Sequence, residues 1–257
     1  MTAAAYGGWL VCPRPRPDAR LRLLCFAYAG GGSAVFADWA AGLPDDVEVS
    51  AVRLPGRESR ILQRPYDDLG DLLPDLGEAI SDHFRERPFV MFGHSMGALI
   101  AFAYTRWLRD AGRRGPEHLV VSGRRAPQLR HNRPVIHDLP DEAFLEQLRA
   151  LGGTPEELLT NPRVMRLVMP GLRADFQLND SYRYEPAPVL DCPVTAFGGR
   201  ADRHVDMAGL AAWAAQTSGP FRLRMMEGGH FFLHSAREAL LLELGTVLRR
   251  TLGSAVA

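Results

Sequence analysis

Short apolar runs alternate with amphipathic stretches along most of this chain of 257 residues. Apolar runs of strand length lie at 9–12, 21–27, 47–52, 89–92, 118–122, 193–197 and 221–226. Stretches with helical spacing of apolar residues lie at 35–43, 69–85, 96–110, 207–217 and 236–252. Strands that alternate with helices predict an α/β fold, in which helices cover both faces of a mostly parallel sheet.

The regular alternation stops between Gly123 and about Leu190. Helical stretches without a clear strand occupy this block, at 141–151, 155–159 and 163–178. A segment of about 65 residues inside a parallel sheet favours an inserted helical lid over a structureless loop. We therefore expect one domain over residues 1–257, with a lid over residues 124–190.

Composition and charge narrow the class of protein. The hydrophobic fraction of 46% and the charged fraction of 23% are typical of a globular protein. No apolar run approaches the length of about 18 residues that a membrane span needs, so no membrane partner is expected. Thirty basic residues balance thirty acidic ones, which gives no reason to expect nucleic-acid binding. The first residues lack the features of a secretory signal, so we expect a cytoplasmic location.

Cysteine and histidine usage predicts neither a disulfide framework nor a metal site. The three cysteines, Cys12, Cys25 and Cys192, have no metal-like spacing, and the eight histidines are scattered. No cofactor is expected.

The first candidate catalytic motif is Gly93-His94-Ser95-Met96-Gly97, which joins an apolar run to a predicted helix. A Gly-x-Ser-x-Gly sequence in that context is typical of a nucleophile elbow. The two glycines are needed because a Cβ would clash where the chain doubles back. The helix after the turn directs free N–H groups and its positive dipole end at Ser95, which suits a developing oxyanion. We predict that Ser95 is a nucleophile.

A serine nucleophile needs a general base and a carboxylate that orients the base. In a hydrolase with this elbow they follow in the order Asp, His, each in a loop after a strand. Asp202 and His230 have those positions after the last two predicted strands. Asp206 is an alternative carboxylate and His234 an alternative base, whereas Asp191 precedes its strand and is expected at the opposite end of the sheet.

The oxyanion hole is expected to consist of two backbone N–H groups. Met96, the residue after the nucleophile, supplies one. The loop after the first core strand supplies the other, for which we predict Ala29, with Gly30 as the alternative.

Five stretches of the chain resemble a known family. They are Phe26–Gly32, Leu54–Arg60 (Leu-Pro-Gly-Arg-Glu-Ser-Arg), Gly93–Ala98, Leu172–Phe176 (Leu-Arg-Ala-Asp-Phe) and Gly229–Leu233. In this order, within residues 21–248, they resemble the stand-alone type II thioesterases that accompany polyketide synthases and nonribosomal peptide synthetases. The elbow is shared with many hydrolases, whereas the second and fourth stretches are far more specific.

The resemblance implies an α/β-hydrolase fold with a helical lid and an editing role in antibiotic biosynthesis. Such enzymes hydrolyse acyl groups from the phosphopantetheine thiol of acyl or peptidyl carrier proteins and so clear stalled or misprimed chains. It implies a catalytic triad of Ser95, Asp202 and His230. Lid side chains are candidates for the acyl pocket, although packing of the lid is an alternative role for each: Phe144, Leu145, Leu148, Met165, Val168, Met169 and Phe176.

Three alternative functions share this sequence pattern. A carboxylesterase or lipase would use the same residues on small esters. A binding protein with a hydrolase fold would leave Ser95 idle. An acyltransferase would pass the acyl group from serine to a nucleophile other than water.

Overall fold

The structure is a computed structural model that describes residues 8–129 and 134–254. Its described part contains a seven-stranded sheet with the strand order β1-β3-β2-β4-β5-β6-β7. The strands are β1 (Leu10–Val11), β2 (Leu21–Phe26), β3 (Val47–Val52), β4 (Phe89–His94), β5 (His118–Ser122), β6 (Val194–Gly199) and β7 (Phe221–Met226). The strand β1 is antiparallel to β3, and the other neighbouring pairs are parallel. The predicted, mostly parallel sheet is therefore confirmed.

The helices follow the predicted periodicity closely. They are α1 (Leu69–Ile80), α2 (Met96–Asp110), α3 (Asp141–Leu151), α4 (Glu156–Leu159), α5 (Pro162–Ser181), α6 (Met207–Ala211), α7 (Phe232–Ser235) and α8 (Arg237–Ser254). Short 3₁₀ helices lie at Ser33–Phe36, Trp39–Ala41, Glu58–Arg60, Ser81–Phe84 and Ala212–Gln216. In the described residues, no helix is both long enough and apolar enough to cross a membrane.

The helix predicted over 35–43 is wrong, because two 3₁₀ helices occupy that segment. Phe36 and Trp39 are three residues apart and both are almost completely buried. Their ring centroids lie 6.2 and 4.9 Å from that of Phe92. Phe36 ends the first 3₁₀ helix and Trp39 begins the second, so the turn between the two helices brings both rings against β4.

Side-chain alternation along the strands divides the core between the two faces of the sheet. Leu24 and Phe26 of β2 belong to a cluster with α1, α2 and α6, whereas Leu23 and Cys25 belong to a cluster with α8. Burial of each leucine or phenylalanine contributes about 1.5–3 kcal/mol. Because β2 to β7 are parallel, their carboxyl ends meet at one edge, where the loops that follow them come together.

A helical excursion separates the neighbouring strands β5 and β6. It contains α3, α4 and α5, whose apolar faces form a hydrophobic cluster of their own. The buried members of this cluster are Ile136, Phe144, Leu148, Leu159, Met165, Leu172 and Phe176. We call residues 124–190 the helical insertion, following the predicted bounds. Its residues 130–133 lie outside the described part of the chain.

Candidate active site

A tight turn between β4 and α2 carries Ser95. Its backbone has φ 54° and ψ −113°, in the left-handed region that a residue with a side chain rarely adopts. Its N–H donates a hydrogen bond to the Ser122 carbonyl at 2.8 Å. A Cβ on Gly93 would lie 2.1 Å from the Gly97 carbonyl oxygen, and one on Gly97 would lie 2.2 Å from that of Phe26. Glycine is therefore required on both sides of the strained residue.

The loops after β6 and β7 bring Asp202 and His230 into contact. Asp202 Oδ2 accepts a hydrogen bond from His230 Nδ1 at 2.7 Å. The other oxygen, Oδ1, accepts from the backbone N–H groups of His204 at 2.8 Å and Val205 at 3.2 Å. The Asp202 side chain is fully buried, and that of His230 is 9% exposed. Asp202 is thus anchored to its own loop while it holds the imidazole.

The surroundings of Asp202 favour its ionised form. Burial alone raises the pKa of the carboxyl group. The hydrogen bond and charge of His230, together with the two backbone N–H donors, outweigh burial, so the pKa lies below its ordinary value. An ionised carboxylate holds the proton of the imidazole on Nδ1 and leaves Nε2 as the basic nitrogen.

The alternative acid and base have other partners. Asp206 caps α6, where its Oδ1 accepts from the Gly209 N–H at 2.8 Å. His234 Nε2 is hydrogen-bonded to the Tyr28 hydroxyl at 2.9 Å. Burial and the nearby Arg237 lower the pKa of His234. The structure therefore pairs Asp202 with His230, whereas Asp206 and His234 have other partners.

His94, inside the elbow, is a buried packing residue. It is completely inaccessible, and its Nδ1 is hydrogen-bonded to Ser122 Oγ at 2.9 Å. Burial, and then the nearby His230 and His234, hold the pKa of His94 well below its ordinary value. An uncharged imidazole at this position ties the elbow to β5.

Ser95 and His230 line one small cavity, of about 40 Å³, together with Ala29 and Met96. In the described structure no direct hydrogen bond joins Ser95 Oγ to His230. Hydrogen bonds between catalytic groups are often long without substrate and shorten when the complex forms. The folded chain thus brings residues from four separate loops to one point.

Two residues that line this cavity, Ala29 and Met96, carry the backbone N–H groups that the sequence predicts for the oxyanion hole. Within the part of the chain that the structure describes, neither the Ala29 N–H nor the Met96 N–H has a hydrogen-bond acceptor. Gly30, by contrast, donates its N–H to Asp175 Oδ2 at 2.7 Å. The geometry therefore favours Ala29 over Gly30 as the second donor, and Met96 begins α2 with its N–H at the positive end of the helix dipole.

The predicted pocket residues separate into two groups. Leu148 and Phe176 line the small cavity, next to Leu151. These two also belong to the cluster of the helical insertion, whereas the other candidates belong to that cluster but do not line the small cavity: Phe144 and Met165 are buried in it, and Leu145, Val168 and Met169 are partly buried against it. A larger cavity of about 490 Å³ also includes Ser95, and polar side chains such as Arg124 and Tyr182 line it. Ser95 is thus accessible from both cavities.

Two charged residues that the reasoning from sequence missed contact the loop after β2, residues 27–34, which we call the oxyanion loop because it contains the predicted donor Ala29. Arg57 Nη2 and Asp175 Oδ1 form an ion pair at 2.5 Å. Both residues lie in the two stretches that resemble the family most specifically. Asp175 lies on the buried face of α5 between Leu172 and Phe176, and a charge at such a position is the signal that could have identified it.

Comparison with known proteins supports the resemblance noted in the sequence. A family model described as Thioesterase domain matches residues 21–247. Gramicidin S biosynthesis protein GrsT from Aneurinibacillus migulanus is 41% identical over 233 residues, which cover 91% of each chain. Thioesterase PikA5 from Streptomyces venezuelae is 36% identical over 248 residues, which cover 96% of this chain and 88% of PikA5.

A solved structure agrees with this assignment. The type II thioesterase BorB from the borrelidin biosynthetic cluster is 34% identical and superposes with a TM-score of 0.84, covering 95% of this chain and 97% of BorB. The resemblance to type II thioesterases and the α/β-hydrolase fold are both confirmed. The chain therefore belongs to the Thioesterase domain family, whose members are hydrolases that act on thioesters.

Proposed function

We propose that this thioesterase hydrolyses acyl groups from the phosphopantetheine thiols of acyl or peptidyl carrier proteins. The reaction would edit polyketide or nonribosomal peptide assembly by releasing stalled or misprimed chains. The observation that carries the proposal is the 2.7 Å hydrogen bond between Asp202 and His230 at a cavity that Ser95 also lines. Relatives named for gramicidin S biosynthesis and for the borrelidin cluster support this class of substrate.

Acylation of Ser95 is the first half of the reaction. Ser95 Oγ attacks the thioester carbonyl while His230 Nε2 takes its proton. Asp202 holds the imidazole in the tautomer that can accept this proton and stabilises the imidazolium that results. The Met96 and Ala29 N–H groups donate to the oxyanion. The C–S bond then breaks, and the sulfur leaves with the proton that His230 returns.

Deacylation regenerates the enzyme. His230 takes a proton from a water molecule, whose oxygen attacks the acyl carbonyl of the serine ester. The same two N–H groups stabilise the second oxyanion. The ester C–O bond breaks, Ser95 Oγ regains a proton from His230, and the free acid leaves.

The helical insertion acts in this proposal as a lid that divides the approach to Ser95. The small cavity between Leu148 and Phe176 would hold a short acyl group. The cavity of about 490 Å³ that also includes Ser95 would hold the pantetheine arm. Its volume lies within the range of about 300–1,000 Å³ that is usual for small-molecule sites.

Intact-protein mass spectrometry of acyl-loaded carrier proteins tests the proposal. Incubation with the wild type should remove short acyl groups, whereas Ser95→Ala should leave them in place. A matched control is Ser254→Ala, which changes an exposed serine in the last turn of α8 and should behave as the wild type. Persistence of every acyl group with the wild type would refute the carrier-protein assignment.

The same preparation distinguishes the alternative functions. A carboxylesterase would hydrolyse p-nitrophenyl esters faster than any acyl carrier protein. A protein with an idle serine would show no mass adduct with a fluorophosphonate. An acyltransferase would release the acyl group only when a second acceptor is added.

A further inference from the structure

An ion pair holds the loop that carries the proposed oxyanion donor Ala29. Arg57 follows β3, and Asp175 lies on α5 of the helical insertion. Arg57 Nη1 donates to the Gly31 carbonyl at 2.7 Å, and Arg57 Nη2 contacts Asp175 Oδ1 at 2.5 Å. Asp175 Oδ2 accepts from the Gly30 N–H at 2.7 Å. The two side chains therefore form a closed ring of hydrogen bonds with the two residues after Ala29.

The ring engages the two residues that follow Ala29, whose own N–H has no acceptor in the described structure. The Gly30 N–H is bound to Asp175, and the Gly31 N–H donates to the Tyr28 carbonyl at 2.8 Å. Gly30 has φ +78°, a conformation that favours glycine. Because Asp175 and Arg57 hold Gly30 and Gly31 through hydrogen bonds, they also determine how the preceding Ala29 peptide is oriented toward the cavity.

Close packing brings the lid helix to the loop. Gly171 and Asp175 are four residues apart on α5 and therefore lie on the same face of the helix. A Cβ on Gly171 would lie 2.7 Å from the Gly56 carbonyl oxygen, so the helix backbone approaches the segment before Arg57 directly. A Cβ on Gly30 would lie 2.6 Å from Leu172 Cδ2. The helix cannot move away from the core without breaking the Asp175–Gly30 hydrogen bond.

The neighbouring Glu58 holds the other half of the same loop. Its carboxylate accepts from Ser33 Oγ at 2.6 Å and from the Ala34 N–H at 3.1 Å. Glu58 adopts φ +50°, which a residue with a side chain rarely does. Two consecutive residues of one motif thus anchor the oxyanion loop on both sides.

We propose that Arg57 and Asp175 are positioning residues that orient the Ala29 N–H and complete the oxyanion hole only when α5 is docked. The inference rests on the proposed function, because it concerns the same acyl-transfer site. Asp175 is 2% exposed and the Arg57 side chain is 12% exposed. Each charge is therefore largely desolvated and depends on the other for compensation.

Asp175→Asn and Arg57→Lys test the inference with little change in volume. The substituted amide cannot pair with the guanidinium as a carboxylate does, and lysine cannot contact Gly31 and Asp175 through a planar fork. We expect Asp175→Asn to lower kcat about 10- to 100-fold, with KM within about two-fold, since complete loss of one oxyanion donor costs about 10²–10³-fold. Arg57→Lys keeps the buried charge and should lose less.

Binding of an alkyl boronic acid separates positioning from general damage. Its tetrahedral adduct with Ser95 places an oxygen in the oxyanion hole, so its affinity should fall by the same factor as kcat. Asp141→Asn is the matched control, because it breaks a lid ion pair with Arg173 that does not touch the oxyanion loop. Its kcat and boronate affinity should remain within about two-fold of the wild type.

Several outcomes would overturn the inference. They are an unchanged boronate affinity in folded variants whose kcat has fallen, an effect confined to KM, and an equal loss in Asp141→Asn. Should Asp175→Asn fail to fold, Arg57→Lys carries the same test. Failure of the wild type to hydrolyse acyl carrier proteins would refute the proposed function alone, because boronate binding still measures the oxyanion hole.

Discussion

The pairing of Asp202 with His230 leads to a quantitative prediction for Asp202→Asn. An asparagine can keep its oxygen toward the His204 and Val205 N–H groups, which now lie 2.8 and 3.2 Å from Oδ1. Its amide nitrogen then faces His230 Nδ1 in place of the carboxylate oxygen at 2.7 Å. A donor at that place requires Nδ1 to be an acceptor, so the proton moves to Nε2, the nitrogen that should act as base.

The expected magnitude follows from the wrong tautomer. An amide in place of the orienting carboxylate lowers kcat about 10⁴-fold in a serine hydrolase of the chymotrypsin type. That factor corresponds to about 5 kcal/mol of transition-state stabilisation. Stability should change less, because the loop contacts of residue 202 are kept and one charge-assisted hydrogen bond contributes about 1.5–3 kcal/mol. The variant should therefore fold and bind substrate but hardly turn over.

Hydrolysis of a soluble acyl thioester, followed by release of the thiol, measures the effect at constant folded concentration. Asp206→Asn is the matched control, since asparagine caps a helix about as well as aspartate and α6 should be unaffected. The control should retain wild-type kcat within about two-fold. The reasoning would be refuted by a folded Asp202→Asn that keeps more than a tenth of wild-type kcat, or by an equal loss in Asp206→Asn.

Three further predictions concern the elbow, the loss of stability at acidic pH and the acyl cavity. Gly97→Ala should prevent the elbow from forming, because its Cβ would lie 2.2 Å from the Phe26 carbonyl oxygen. Thermal unfolding measures the loss of stability and fluorophosphonate labelling measures the reactivity of Ser95. A stable variant that is labelled normally would contradict the prediction. Burial lowers the pKa of His118 to about 4. Below about pH 6.5 the unfolded chain therefore binds a proton that the folded chain does not, and the free energy of unfolding decreases as the pH is lowered. Urea unfolding at pH 7 and pH 5 should show a smaller decrease in His118→Gln than in the wild type; equal decreases would contradict the assignment. Leu148→Ala should shift hydrolysis toward longer acyl thioesters, while Met165→Ala, inside the cluster of the helical insertion, should lower stability without that shift; equal chain-length profiles would contradict the placement of the cavity.

Local sequence patterns were sufficient for the sheet, most of the helices and the elbow. The division of successive β2 side chains between the two faces of the sheet follows directly from the two-residue period of a strand, and helical spacing follows from the 3.6-residue period. The turn at Ser95 was equally predictable from its motif, although only the demand for Gly93 is local, because a Cβ there would meet Gly97. The demand for Gly97 comes from Phe26 of β2, which is distant in the sequence. Where local period and packing disagreed, as at Phe36 and Trp39, packing against β4 decided the structure.

Choices between neighbouring residues depended on contacts that are distant in the sequence. Asp202 and Asp206 are both plausible partners for a histidine in a loop, and only the folded loops show that one holds His230 while the other caps α6. The choice of Ala29 over Gly30 depends on Asp175, which lies 145 residues from Gly30. A chain fixes its local conformations through short-range sterics, but it selects among equivalent donors and acceptors only when long-range packing has brought their partners within hydrogen-bond distance.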